Sequence, residues 1–516
     1  MKAIRLTLCQ LCHNDVRGYL IPTRLMSSVT QMHEGQVKVR PFSEIPGPKG
    51  IYQWPVIGTV LHYKPFTKHT PEKIHRLMNE LFDKYGPVVK FRMGPQTVAV
   101  CDPKDFETVF RNEGQYPVRP TLDIVTAYNK RNGHKETFAQ LQGEEWHARR
   151  TPLNKRLVRS DSASYYLEQQ GQVAEDLVRA LAKEDLTAVD FQDLFYRYAS
   201  ESIFLVAFNR RLGLFEEEPD KISTDFVQAA KTSTQMLQDA LLGKLFMTKW
   251  LKNSSYKKFE ALLNFQKKVT ADCVMEARKV LEDRMKSGDF KADEPNLLFS
   301  LLSEKNMTDE DINDAVGTLY AAGTESTAKN LQTFFYTLAL NPEKQEILRQ
   351  EILNILGANG ILTAQALSQM AFLKAALKES FRLYPPAAVG IIRVLPVDVT
   401  LGQYAVPAGT QIIMFSPRPS KTHFENPNQF LPERWLRSEE NVKKDTSLGF
   451  IVLPFGHGPR NCIGRRFATQ EMYLATTKVL QNFKIDVAPE SKSTQFIYKM
   501  FIEPEEPIKF KFTKLH

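Results

Sequence analysis

From Thr308 to Leu340 the chain runs 33 residues without a proline. The stretch opens on Thr308-Asp309-Glu310-Asp311, a helix N-cap signature, and closes at Asn341-Pro342. At about 1.5 Å per residue, such a helix is near 50 Å long. It is long enough to cross a whole domain, so the rest of the fold has to be built around it.

The surrounding sequence agrees. Helical periodicity dominates from about residue 160 to 385, with runs free of glycine and proline at 172–208 and 254–285. Earlier, Pro41, Pro46, Pro48 and Pro55 make a stiff segment that must lie across a surface. A first helix is predicted over 71–85, stopped by Gly86-Pro87. Residues 88–100 then read as two strands joined at Gly94-Pro95. After Pro385 the pattern changes to short strands, proline-rich loops and one more helix near 463–483. There are no internal repeats. The reading is one large, mainly α domain with small β-sheets (α+β) over 36–516, built on a long central helix.

Composition narrows the function classes. With 516 residues, 42% of them hydrophobic, the chain can bury a substantial core. A net charge of +9 suits an acidic partner or an anionic membrane surface. Zinc-finger spacing, RNP motifs and Lys/Arg blocks are missing, which argues against nucleic acid. The five cysteines (9, 12, 101, 273 and 462) are too few, and odd in number, for a disulfide framework, so a reducing compartment is expected. Residues 1–33 carry Lys2, Arg5, Arg17 and Arg24 but one acid, Asp15, with frequent hydroxyls and recurring leucines. That is the composition of a mitochondrial transit peptide, placed at about 1–35 with cleavage between Arg24 and Arg40. No stretch is long and apolar enough for a membrane span. Within the presequence, Cys9-Gln-Leu-Cys-His13 matches the c-type haem attachment pattern. A chance match in a discarded segment explains it better, and a c-type electron carrier is the rival.

The chemistry concentrates at Pro454-Phe-Gly-His-Gly-Pro-Arg-Asn-Cys-Ile-Gly-Arg-Arg-Phe-Ala468. Glycines let a backbone take φ > 0 and approach a flat group. Cys462 stands just before a predicted helix, whose N-terminal dipole favours a thiolate, and Arg460 adds charge two residues earlier. One thiolate without a CxxC pair does not suit zinc. It suits haem iron with an axial cysteine. His457 is read as a loop residue rather than a ligand, and Cys101 and Cys273 as packing thiols.

Here the chain resembles the cytochrome P450 haem-thiolate monooxygenases, through F-x-x-G-x-R-x-C-x-G at Phe455, Gly458, Arg460, Cys462 and Gly464. Three further family motifs follow the right order, and together they cover about residue 41 to the C-terminus. The resemblance implies haem b (iron protoporphyrin IX) on Cys462, with Trp146, Arg150, Arg393, Phe455 and Arg460 binding the cofactor. It implies an oxygen-activation motif at Ala322-Gly-Thr-Glu-Ser-Thr327, with Glu325, Ser326 and Thr327 as catalytic residues. The family's usual threonine is Ser326 here, which keeps the hydroxyl and loses the methyl that restrains its rotamer. A mid-helix glycine and adjacent hydroxyls are expected to loosen the helix beside the haem. It further implies a structural charge triad of Glu379, Arg382 and Arg434.

A monooxygenase needs two electrons, and the chain has no flavin or nicotinamide fingerprint. Lys374, Lys378, Arg465 and Arg466 are expected to form a basic docking patch. They resemble the mitochondrial class, which takes electrons from a [2Fe–2S] ferredoxin reduced by NADPH–ferredoxin reductase; that class often has Glu where this chain has Thr469. Peripheral contact with the matrix side of the inner membrane is expected through 241–259, which alternates bulky apolar and basic residues. Segments 121–138, 226–241, 314–326, 387–392 and 495–501 are expected to line the substrate site. They offer apolar and aromatic residues, so a lipophilic substrate is expected, and the class implies a steroid, sterol or secosteroid. The rivals within haem proteins are an isomerase or peroxide-rearranging enzyme and a non-catalytic haem or sterol binder.

Overall fold

The computed structural model describes residues 39–515, apart from 160, 184–188, 249, 290–294, 388–389 and 437–448. The transit-peptide segment and Cys9–His13 lie outside the described residues.

The helices of nine or more residues are α1 (Ile74–Tyr85), α2 (Pro103–Arg111), α3 (Asp123–Arg131), α4 (Gly143–Leu157), α5 (Leu167–Lys183), α6 (Gln192–Phe208), α7 (Lys221–Leu241), α8 (Ser254–Ser287), α9 (Asp309–Ala339), α10 (Pro342–Leu356), α11 (Ala371–Leu383) and α12 (Arg465–Asn482). α9 is the expected long helix. Thr308 and Asp311 form a reciprocal capping box, and three acids sit in the first turn against the helix dipole. Its C-terminal half is core on every side. Leu331, Phe334, Phe335 and Leu338 are fully buried and belong to one apolar cluster with residues of α5, α6, α11 and α12.

Among the described residues four small sheets flank the helices. The largest has the order β1 (Val88–Arg92), β2 (Gln96–Val100), β7 (Gln411–Met414), β4 (Ile391–Val394); β2 and β7 are parallel and the outer pairs antiparallel. Hairpins pair β5 (Val399–Leu401) with β6 (Tyr404–Val406) and β9 (Phe496–Tyr498) with β10 (Ile502–Pro504). β11 (Lys509–Lys514) joins β3 (Val189–Asp190) to β8 (Phe483–Val487). The proline-rich segment lies along β1, where Lys90 N donates to Pro46 O at 2.8 Å.

One expected helical run is divided. Between 172 and 208 the chain leaves α5, adds the two-residue β3 to β11, and restarts as α6 with Asp190 Oδ1 accepting Gln192 N–H at 2.9 Å. A sheet pairing and an Asx turn at Asp190 break the helix without glycine or proline, so the punctuation that marks most boundaries is missing.

Glu471 of α12 is buried behind α9, where Gln170 Nε2 donates to its Oε1 at 3.0 Å. Burial pushes its carboxyl up to about 8. An unfolded glutamate titrates at roughly 4.3, so the folded state holds this proton more tightly. Stability therefore falls as pH rises between those values. Glu471→Gln is expected to flatten that slope, so the variant gains in urea midpoint relative to the parent as pH goes from about 5 to 8. Parallel pH curves for the two proteins would contradict this.

Candidate active site

Residues 455–464 form the loop that leads into α12. Cys462 N donates to Phe455 O at 2.8 Å and closes it, and the Phe455 ring packs edge-on against Phe381. Gly456 and Gly458 hold φ of 72° and 75°, a region that strains any residue with a Cβ. Gly458 is also pressed by Glu113: an added Cβ would lie 1.9 Å from Glu113 Oε1. The glycines thus serve the turn and the Glu113 contact as well as keeping the loop free of side chains. His457 is exposed and sits edge-on to Phe110 and Phe450, as a loop residue. Cys101 and Cys273 are buried, and burial pushes their thiols up to about 12 and about 11, which makes them packing groups.

Cys462 is exposed although protein surrounds it closely, so its sulfur faces an internal cleft rather than the outer surface. Burial raises its pKa, opposed by the N–H groups of Gly464 and Arg465 and the charges of Arg150 and Arg119. Arg460, expected to charge the thiol's surroundings, turns away from it. Its guanidinium lies over the Trp146 ring, 4.4 Å from the centroid, and donates to Leu141 O.

Trp146 and Arg150 are both buried on one face of α4. Arg150 Nη2 donates to Asn461 O at 2.8 Å, which ties α4 to the cysteine loop. Arg393 projects from β4, and its Nε donates to Glu113 Oε2 at 2.6 Å. Arg119, Arg150, Arg393 and Arg460 lie close enough that neighbouring arginines, after burial, hold down the pKa of Arg119, Arg150 and Arg460. Among the described residues one carboxylate, Glu113, faces this group, against Arg393 and Arg460. The Nε and Nη1 of Arg460 are buried without a protein partner. Such a cluster is built for anions. Glu113 and Arg119 escaped the sequence reading. They sit in a loop that reaches the site because Val118 bridges to Val394 of β4, and no local pattern announces that pairing.

On α9, a partly or fully accessible stripe runs through Gly317, Thr318, Ala321, Ala322 and Ser326, at helical spacing, and stops there. The same helix is core beyond it. Ser326 Oγ donates to Ala322 O at 2.7 Å and Thr324 Oγ1 to Tyr320 O at 2.9 Å. The helix is nevertheless continuous through the motif. Gly323 does not loosen it: a Cβ there would meet Ile203 Cγ1 at 2.8 Å, so the glycine lets α6 pack close. Glu325 is buried beside Ser326, and burial raises its pKa, partly offset by Lys329. Thr327 is buried on the side toward Glu471, away from the stripe, which parts it from Ser326.

Behind the loop, the expected triad is complete. Glu379 and Arg382 are fully buried and pair by two bonds, Nε–Oε2 at 2.9 Å and Nη2–Oε1 at 2.8 Å. Arg434 Nε adds a third at 2.9 Å and Trp435 Nε1 a fourth at 2.8 Å.

The model of the cytochrome P450 family matches residues 48–512. The chain belongs to the cytochrome P450 family. It is similar to Cytochrome P450 10 of Lymnaea stagnalis, 29% identical over 93% of this chain and 87% of the relative. It is similar to the mitochondrial cholesterol side-chain cleavage enzyme of Sus scrofa, 30% identical over 91% and 89%. It also resembles the mitochondrial 1,25-dihydroxyvitamin D(3) 24-hydroxylase of Rattus norvegicus, 28% identical over 92% and 90%. It is a P450 monooxygenase, and its cofactor is haem b.

The residues present fit a P450 haem. The accessible sulfur of Cys462 would supply one soft ligand to the haem iron. The arginine cluster, with unpartnered N–H groups and three more guanidiniums than carboxylates, suits two propionates. Among the described residues no group of three His, Cys, Asp or Glu could hold a bare metal ion.

The four basic residues expected to meet an electron donor are less uniform. Arg465 and Arg466 are exposed at the start of α12, and Arg466 Nε donates to Val158 O at 2.9 Å. Lys374 donates to Ser368 O, and Lys378 lies 4.0 Å over the Trp435 ring. Burial lowers the pKa of Lys378. α11 and α12 pack on the same neighbours, α9 and α10.

Proposed function

We propose that this P450 hydroxylates a lipophilic steroid, sterol or secosteroid in mitochondria, with electrons from a [2Fe–2S] ferredoxin kept reduced by NADPH–ferredoxin reductase. The observation that carries the reading is the small-residue stripe on α9. It gives a substrate an apolar wall that ends at Ser326 and Glu325. Relatives that span nine-tenths of the chain act on cholesterol and on 1,25-dihydroxyvitamin D(3) by their names. Residues 1–35 are taken as the transit peptide that delivers the enzyme, leaving 36–516 as the working domain.

In this reading Cys462 holds the iron, while Trp146, Arg150, Arg393 and Arg460, joined by Arg119, hold the propionates. The bound haem supplies the chemistry that activates O₂. Glu325 takes up a proton from the protein side, and Ser326 Oγ passes it toward the cleft with the help of water. Ser326 can turn from its bond to Ala322 O without breaking a backbone hydrogen bond, since that carbonyl also belongs to the helix ladder. The apolar wall excludes bulk water around the site of oxidation.

Contact with the membrane surface is taken as peripheral in this reading, and no described helix is long and apolar enough to cross a bilayer. The 241–259 segment serves two ends. Met247, Tyr256 and Phe259 are buried in a cluster with Ile124, Met236 and Ala240. Trp250 and Leu251 are more than half exposed and are followed by exposed Lys252, Lys257 and Lys258, a composition that suits an anionic interface.

The electron-donor assignment is tested by reconstitution with a [2Fe–2S] ferredoxin and its reductase. A panel of sterols and secosteroids is first screened by the change in haem spin state. With a substrate that binds, Lys378→Gln is expected to weaken ferredoxin affinity about tenfold at low salt and to flatten the salt dependence. Substrate affinity should not move. Equal loss of both, or turnover from an organic hydroperoxide but never from ferredoxin, would reject the assignment.

A further inference from the structure

Glu325 shares its stretch of α9 with a buried cation that the proposed reaction does not itself require. Lys329, one turn on, is buried, and its Nζ lies 2.7 Å from Glu503 Oε2 but 4.0 Å from Glu325 Oε1. Glu503 belongs to β10 and is buried as well, and its other oxygen takes Lys499 Nζ at 2.6 Å. Two glutamates and two lysines thus alternate from Glu325 to Lys499, which is partly exposed.

The distances decide how the charge is shared. A glutamate followed at i+4 by a lysine forms an ion pair readily on a helix, and a buried lysine closes on whatever carboxylate it can reach. Left to themselves, Glu325 and Lys329 would pair directly, and a carboxylate fixed that way gives up its capacity to carry a proton. Here Glu503 reaches in from a separate strand and takes the short bond.

We propose that Glu503 is a positioning residue for the proton-delivering acid: it holds Lys329 in a short ion pair, keeps it from closing on Glu325, and so leaves the Glu325 carboxyl able to take up and release a proton beside Ser326. This rests on the reading of Glu325 as that acid. The groups facing Glu325 are consistent with it. Lys329 faces it from its own helix, Glu503 from β10, Lys231 and the hydrogen-bonding Gln238 from α7, and Tyr196 from α6. Burial raises Glu325. Burial also opposes the charge on Glu503, yet its two lysines hold it below the ordinary value. The two carboxyls are thereby pushed apart, with one kept ionised and the other free to titrate.

The test uses the full-length haem-loaded enzyme and infrared difference spectroscopy against pH. The band of a protonated buried carboxyl is assigned to Glu325 by its loss in Glu325→Gln. In Glu503→Gln, Lys329 is freed to pair with Glu325, and the midpoint of that band is expected to move down by roughly one pH unit or more. Adding Lys329→Gln to that variant should return the midpoint to the parent value or above. A midpoint that stays or rises in Glu503→Gln overturns the proposal. Should that variant fold too poorly to titrate, Glu503→Asp draws the carboxylate back by one methylene and must shift the midpoint in the same direction, and no shift again overturns it. The pH profile of product formed per NADPH consumed is read alongside, and its alkaline limb should move with the band. If the band moves and that profile does not, the error lies in the role given to Glu325, not in the hold that Glu503 has on Lys329.

Discussion

Cys462→Ser is expected to abolish the strongly red-shifted Soret band that a thiolate-ligated haem gives when reduced and bound to CO, and all monooxygenase turnover with it. The reason lies in what surrounds the sulfur. Burial raises the pKa of this thiol, opposed by the charges of Arg150 and Arg119 and by the two N–H groups. Metal coordination deprotonates such a thiol outright. A serine hydroxyl in the same place is a harder and far weaker acid, and it donates less electron density to iron. The loop itself should survive, because the Cys462 N–H bond to Phe455 O and the left-handed glycines do not involve the sulfur. Far-ultraviolet circular dichroism is therefore expected to be unchanged. A variant that keeps the thiolate band would end the assignment of Cys462 as the ligand.

Arg382→Leu is expected to leave little folded protein. All five N–H groups of Arg382 are engaged: Nε and Nη2 with Glu379, Nη1 with Ser420 O and Pro427 O, and Nη2 again with Gln429 O. Removing the cation leaves three carbonyls without their donor and Glu379 buried with Arg434 as its one remaining charge partner. Breaking one side of a buried ion pair costs about 3–5 kcal/mol. A typical total stability is roughly 5–15 kcal/mol, so the loss is a large share of it. Urea unfolding and the yield of haem-loaded enzyme measure the effect. Arg382→Lys is expected to recover little, because an ammonium has neither the planar fork nor five donors. A lysine variant within about 1 kcal/mol of the parent would show that charge alone, and not the fork, holds this region.

Much of this architecture was readable from local chemistry. The capping box at Thr308, the stop at Asn341-Pro342 and the hairpin of β1 and β2 follow from neighbours in the chain. So do the i, i+3 spacing of Glu379 and Arg382 and the i, i+4 spacing of Trp146 and Arg150. Cys462 stood out because turn residues and a helix start bracket it. The misreadings share a cause. The break between α5 and α6 depends on β11, more than 300 residues away. Gly323 looked like a weak point in a helix and is a close contact with Ile203. Arg460 looked close to the thiol along the chain, yet its side chain goes to Trp146.

The family was legible as a resemblance carried by the cysteine loop and three further motifs, the cofactor from a lone cysteine among turn residues, and the central helix from its cap signature and its Asn341-Pro342 stop. The electrostatics of the site had to wait for the fold. Four arginines from three separate loops or strands and one helix come together, with Glu113 facing Arg393 and Arg460, and Glu503 reaches Lys329 across 174 positions. Helix caps and spacings act over a turn or two and leave a mark in neighbouring residues. The free energy of a buried charge depends on every group that surrounds it in space, and those groups come together when the chain closes on itself.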